Sequence, residues 1–248
     1  CRSCFIGTKE FFMKKSVSII INLLIFFVIC AILGIIALFF FQLRSYASAR
    51  NAYDQIKLEA ISPSTDAYDR KVDFTIVESN STGKCSWIYI PDSAIDYPIV
   101  QADDNEKYLS TDAYGNASKS GAIFLDCNNS VLMDDTKSII YGHSMKDGSM
   151  FHELHSYTKK DYAITHSKLY IYMDDSEVYE YDLRFVINAD CYDANIYDIS
   201  TSQSVQDFFD YAGSTASACY GENNGGNILV LSTCIKGNSR RVVVFQKQ

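Results

Sequence analysis

Two short segments far apart in the chain carry side chains that could do chemistry together. One is Tyr141-Gly142-His143-Ser144-Met145. The other is Leu231-Ser232-Thr233-Cys234, followed seven residues later by Arg241 at the head of Val242-Val243-Val244-Phe245. Cysteine supplies a nucleophile, histidine a proton-transfer group near neutral pH, and arginine a fixed cation. Together they suit acyl transfer through a thioester. Cys234 ends the strand-like run Asn227 to Thr233 and begins a turn, Ile235-Lys236-Gly237-Asn238-Ser239. Such a position exposes a thiol while its neighbours hold it, and a nearby cation lowers its pKa. Arg241 opens the next run, so pairing of the two strands would set it beside Cys234, where it would steady the oxyanion formed after attack. The bland alternative, a buried structural cysteine beside a surface arginine, stays open at this point. His143 sits just past Ile139-Ile140-Tyr141, and Gly142 is expected to give the backbone freedom there and leave room for a substrate. The rival histidines are His152, His155 and His166. The first two lie about one turn apart and lack a further ligand at metal-binding spacing, so they read as surface residues.

These residues need a scaffold, and the chain from Lys84 onward reads mainly as strands. Trp87 to Ile90, Ile95 to Val100, Ala122 to Leu125, Ser138 to Tyr141, Leu169 to Met173, Val178 to Ala189, Ile228 to Leu231 and Arg241 to Phe245 are rich in β-branched and aromatic residues. Two helical insertions interrupt them, about Ser149 to Tyr157 and Ser204 to Tyr220; the second places Val205, Phe208, Phe209 and Ala212 at helical spacing. Strands without regular βαβ alternation predict a mainly β domain with helical insertions, closed into a barrel. Residues 44–83 read as a helical stalk and linker. Ser45 to Ile61 is helical in pattern and is broken by Ser62-Pro63-Ser64. Residues 84–248 form the expected catalytic domain.

Val17 to Phe41 is an uncharged, almost wholly apolar run of 25 residues, long enough for a bilayer core, which needs about 20 helical residues. Ala47-Ser48-Ala49 resembles a signal cleavage site, but the run exceeds a signal h-region, so an uncleaved transmembrane anchor over 17–43 is expected. Lys9, Lys14 and Lys15 precede it, which predicts a single-pass protein with residues 1–16 cytoplasmic and residues 44–248 outside. The chain opens on Cys1, and Met13-Lys14-Lys15 reads like an ordinary start, so residues 1–12 are expected to be non-native. The net charge is −8; setting aside residues 1–43 leaves 18 basic against 29 acidic residues, or −11, for the outer part. No basic stripe is present, which argues against a nucleic-acid partner. Eight cysteines do not form a tight framework, and most read as small buried hydrophobes, with Cys191–Cys219 the one pair considered for a disulfide.

At this point the motifs resemble a known family. Gly142-His143, Leu231-Ser232-Thr233-Cys234 and Arg241-Val242-Val243-Val244 are similar to those of the sortases, cysteine transpeptidases that fix proteins to Gram-positive cell walls. Ser86-Trp87-Ile88-Tyr89-Ile90-Pro91, Ile95-Asp96-Tyr97-Pro98-Ile99-Val100-Gln101, Asp104 to Leu109, and Gly121 to Asp126 resemble class B in particular. The likeness covers about residues 50–248. It implies a closed eight-stranded sortase-type β-barrel, preceded by the transmembrane helix and helical stalk, with His143, Cys234 and Arg241 as the catalytic trio. It also implies that Asn105, Leu109, Ser232 and Thr233 bind the substrate, a sorting motif of secreted proteins. The acyl group would pass to an amine of a peptidoglycan cross-bridge or its lipid-linked precursor, without metal or organic cofactor. Two residues near the terminus, Gln246 and Gln248, depart from the family's small residue and leucine. Arg240 adjoins Arg241, and side chains alternate along a strand, so only one of the two can face the groove. The pattern of arginine, an apolar residue and two valines selects Arg241. A membrane-anchored cysteine protease and a non-enzymatic surface binding barrel are the alternative functions.

Overall fold

The structure, a computed structural model, describes residues 21–40, 53–62, 64, 66–79, 86–174, 176–199 and 204–248. Lys9, Lys14 and Lys15, Cys1, Cys4, Cys85, Ala47-Ser48-Ala49 and the outer parts of the expected 17–43 span lie outside the described residues. The chain divides into two compact units, Cys1–Ala47 and Ser48–Gln248. In the first, Ile21–Phe40 is one helix of 20 residues with a mean hydropathy of 3.3. At 1.5 Å per residue it is about 30 Å long, the thickness of a bilayer core.

In the second unit, nine strands of the described residues form one sheet: β1 (Ser86–Tyr89), β2 (Asp96–Val100), β3 (Ile123–Leu125), β4 (Lys137–Tyr141), β5 (Lys168–Tyr172), β6 (Val178–Asp190), β7 (Ala218–Cys219), β8 (Ile228–Lys236) and β9 (Ser239–Lys247). The order is β5-β1-β2-β3-β4-β8-β9-β6-β7, and an added β5–β6 pairing closes eight of them into a barrel. The two-residue β7 lies outside that ring on β6. The closed eight-stranded barrel expected from the sequence is therefore present. Two pairs are parallel, β2–β3 and β4–β8. The second brings together segments nearly a hundred residues apart in the chain, and the insertion between them holds β5 to β7 and their helices.

β4, β8 and β9 are buried on both faces, which explains their continuous apolar runs. One face of each enters the barrel. The other is covered by the helix Val205–Thr215, whose Phe208, Phe209 and Ala212 pack on Ile139, Val230, Val242 and Val244. Ser204 and Asp207 form a capping box that starts this helix. It ends before β7, so the single helix expected to run on to Tyr220 is a helix followed by a short strand. The insertion expected near Ser149 to Tyr157 is a 3₁₀ helix, Phe151–Thr158, followed by an α-helix, Lys160–Thr165.

Residues 53–79 do not stand off as a stalk. They contain a helix over 53–60 and a second, Phe74–Ser79, both in the same unit as the barrel. The Tyr53 hydroxyl donates to the Gly121 carbonyl at 3.2 Å, and the Ala113 amide donates back to it. Arg70 pairs with Asp96 on β2 and lies 3.9 Å over the Tyr89 ring. A stalk was expected because amphipathic spacing shows that a helix has an apolar face, not what that face covers.

Candidate active site

The β4–β8 pair sets the two chemical segments side by side. Tyr141 is opposite Ser232, and the chain leaves β4 through Gly142 toward His143. The Gly142 amide donates to the Ser232 carbonyl at 3.2 Å, and the Thr233 hydroxyl donates to the Gly142 carbonyl at 2.7 Å. The residue before His143 is thus tied to both residues before Cys234. Gly142 is there for close packing and not for backbone freedom. A Cβ would sit 2.4 Å from Ile123 Cδ1 and 2.8 Å from the Phe151 ring. His143 is held from the far side, where its Nε2 lies 2.8 Å from the Leu109 carbonyl. Nε2 therefore carries a proton, and Nδ1 is the ring atom left for chemistry. Gly121, with φ +58, lets this wall approach, because a side chain there would meet the Tyr108 carbonyl at 2.3 Å and the His143 ring at 3.1 Å.

Cys234 is exposed, as a nucleophile requires. It does not end its strand, because β8 runs on to Lys236 and β9 begins at Ser239, leaving only Gly237-Asn238 to turn. Ile235 is bulged out of the ladder, and the register that follows pairs Cys234 with Arg240 and Thr233 with Arg241. Directly paired residues share a face of the sheet. Arg240 therefore lies beside Cys234 and lines the same groove as His143. Its Nη1 donates to the Gly237 carbonyl at 2.7 Å, which anchors it to the hairpin. The expectation for Arg241 is corrected on this point. Arg241 turns to the opposite face, is only 7 % exposed, and leaves Nε and Nη1 without a partner.

The groove walls hold the expected substrate-binding positions in unequal ways. Asn105, Leu109, Ser232 and Thr233 all line it. The Thr233 hydroxyl is already committed to Gly142. Asn105 Nδ2 donates to Asp126 at 2.8 Å, and its Oδ1 accepts from the Cys127 amide. Asp126, buried at 3 %, also accepts the Tyr141 hydroxyl at 2.9 Å. That contact, after burial itself, drives the Tyr141 pKa far up, so its proton stays on the phenol. The Ser232 hydroxyl meets that of Tyr197 at 2.8 Å, and Tyr197 stacks on Tyr141. Tyr197 belongs to the short helix Ala194–Tyr197, whose C-terminal end is held by Lys137 Nζ through the Asn195 and Asp198 carbonyls, both at 3.0 Å. The sequence alone did not mark Tyr141, Tyr197 or Cys191 as groove residues. Its one available signal was aromatic residues next to a chemical motif, which the surplus of tyrosines here obscures.

Cys191 also lines the groove. It is free, as is Cys219, and the two lie far apart on the sheet. Cys219 is opposite Phe185, six residues before Cys191 on the β6 side, or about 20 Å at 3.3 Å per residue. The disulfide considered for them does not form.

Comparison with known proteins finds relatives both in sequence and in fold. A family model described as a sortase domain matches residues 88–248. Sortase B of Listeria monocytogenes is 45% identical over 80 residues, covering 32% of this chain and 32% of that relative. Sortase B of Staphylococcus aureus is 26% identical over 182 residues, 70% of this chain and 73% of the relative. The crystal structure of sortase B from B. anthracis aligns with a TM-score of 0.69 at 27% identity, covering 83% of this chain and 98% of that one.

Proposed function

The chain belongs to the sortase family of cysteine transpeptidases, with class B relatives, and on that premise we propose that it cleaves a C-terminal sorting motif and transfers the protein bearing it to a cell-wall amine. The observation that carries this reading is the meeting of Cys234, His143 and Arg240 in one groove. The Cys234 thiolate attacks the motif's carbonyl, expected on a threonine, and the C–S bond forms as the carbonyl oxygen takes the negative charge. Arg240 faces that oxygen as a fixed donor, stabilising charge that exists only in the transition state. His143, protonated on both nitrogens, gives its Nδ1 proton to the leaving amine as the C–N bond breaks. The resulting thioester is attacked by an amine of the peptidoglycan cross-bridge or its lipid-linked precursor. His143 then takes up the proton that this amine loses, and the thiolate leaves.

Asn105, Leu109 and Ser232 shape the groove for the motif, with Tyr141 and Tyr197 as its aromatic floor. The helix Ile21–Phe40 anchors the enzyme as a single-pass protein with the barrel outside the cell, near both secreted substrates and wall precursors. A peptide library, incubated with the enzyme with and without an added amine, tests this directly. The expected result is cleavage at one motif and a transfer product that grows with amine concentration. Hydrolysis unaffected by amine would indicate a protease instead.

A further inference from the structure

On the face of the sheet opposite the groove, the 3₁₀ helix Phe151–Thr158 lies against β8 and β9. Its Tyr157 meets Phe245 edge-on at 6.1 Å. Phe245, Val243 and Arg241 share one face of β9, so Arg241 points under this helix. A 3₁₀ helix has three residues per turn, which places His152 and His155 one above the other. Their rings are 5.5 Å apart, and both reach the same atom: Ser144 Oγ lies 3.1 Å from His152 Nδ1 and 3.0 Å from His155 Nε2. The His155 ring also meets the backbone carbonyl of Cys234. Ser144 directly follows His143. The two histidines expected to be plain surface residues are therefore joined to both ends of the proposed chemistry.

With His155 neutral, one proton arrangement satisfies every contact. His152 Nδ1–H donates to Ser144 Oγ, the Ser144 hydroxyl donates to His155 Nε2, and His155 Nδ1–H donates to the Cys234 carbonyl. Burial, Arg241 on β9 and His152 on the same helix all push the His155 pKa below the ordinary histidine value. Glu153, the carboxylate of that helix, is turned away to the Ala94 amide.

We propose that His155 is a positioning residue that braces the loop carrying His143 against the strand carrying Cys234, through Ser144 on one side and the Cys234 carbonyl on the other. The proposal rests on the assignment of Cys234 and His143 as the reacting pair. His155 touches neither substrate nor leaving group. It sets their separation, and misplacement by about 1 Å is enough to cost about 100-fold in rate.

The test uses the full chain in detergent and a cleavable peptide found by the library above. His155→Phe keeps the ring's bulk and loses both hydrogen bonds. The expected result is a fall in kcat of about 10- to 100-fold with KM changed less than about twofold. His155→Gln, whose amide can both donate and accept, should recover most of the loss. Ser144→Ala should fall in the same way, and the double variant should fall no further than either single one, since both break one chain of contacts. Wild-type kcat in His155→Phe, even with a lowered Tm, would overturn the brace and leave a merely structural histidine. Additive losses in the double variant would overturn it as well. Retained turnover in Cys234→Ala would instead remove the underlying catalytic assignment, so the two failures are distinguishable.

Discussion

Arg240 and Arg241 are neighbours in the chain with opposite surroundings. Arg240 is half-buried beside Cys234, whereas Arg241 is buried behind it, where desolvation pushes its pKa down. Arg240→Ala is expected to lower kcat/KM by about 100–1,000-fold, the usual loss for one oxyanion donor. Arg241→Leu should stay within about tenfold of wild type, as for a residue outside the site. It should unfold at a temperature no lower than wild type, because leucine removes two buried N–H groups that have no partner. Steady-state kinetics with calorimetry checks both; a larger kinetic loss in the Arg241 variant would contradict the register. The sequence makes it legible that only one of the two arginines can face the groove, since alternation along a strand is strict. Which one depends on the bulge at Ile235 and on a turn shortened to two residues. Neither has a signature in Cys234-Ile235-Lys236-Gly237-Asn238-Ser239 beyond a single glycine, which adopts φ +57.

At the scale of elements, the site depends on how closely β4 and β8 can approach. Gly142→Ala would drive a methyl group into Ile123 and Phe151, both fully buried. The expected cost is about 2–3 kcal/mol of overpacking, or roughly 5–10 °C in Tm by thermal unfolding, together with lost activity as His143 shifts. Wild-type stability in that variant would show that the contact relaxes easily. All eight barrel strands were legible within a few residues, because Ile, Val and Tyr runs bounded by turn residues are a strong local signal. The short helices Lys160–Thr165 and Ala194–Tyr197 were not, since tertiary contacts such as Lys137 on the Asn195 and Asp198 carbonyls hold them more than propensity does. Gln246 looked like a departure near the terminus, but it is a fully buried polar plug. It accepts from Arg184 at 3.1 Å and donates to Asn223 at 2.7 Å.

For the whole molecule, residues 53–79 belong with the barrel, which makes a specific demand on truncation. A chain starting at Ser86 should be less stable than one starting at Ser48, because it loses the Tyr53 contacts to Gly121 and Ala113 and the Arg70–Asp96 pair. Denaturant unfolding would show a lower midpoint, whereas equal midpoints would restore the stalk reading. The apolar helix Ile21–Phe40 was legible from composition alone, because a long uncharged apolar run is a strong local signal. Protease added to intact cells should cut after Arg50 and spare everything before Val17.

Every proposed step depends on Cys234 carrying the acyl group. Intact-mass spectrometry of the enzyme quenched in acid, after mixing with a cleavable peptide, measures this directly. The expected result is an added mass equal to the N-terminal part of the peptide, mapped to Cys234, that disappears when an amine is supplied and is absent in Cys234→Ala but present in Cys191→Ala. An adduct on Cys191, or peptide turnover by Cys234→Ala, would contradict it.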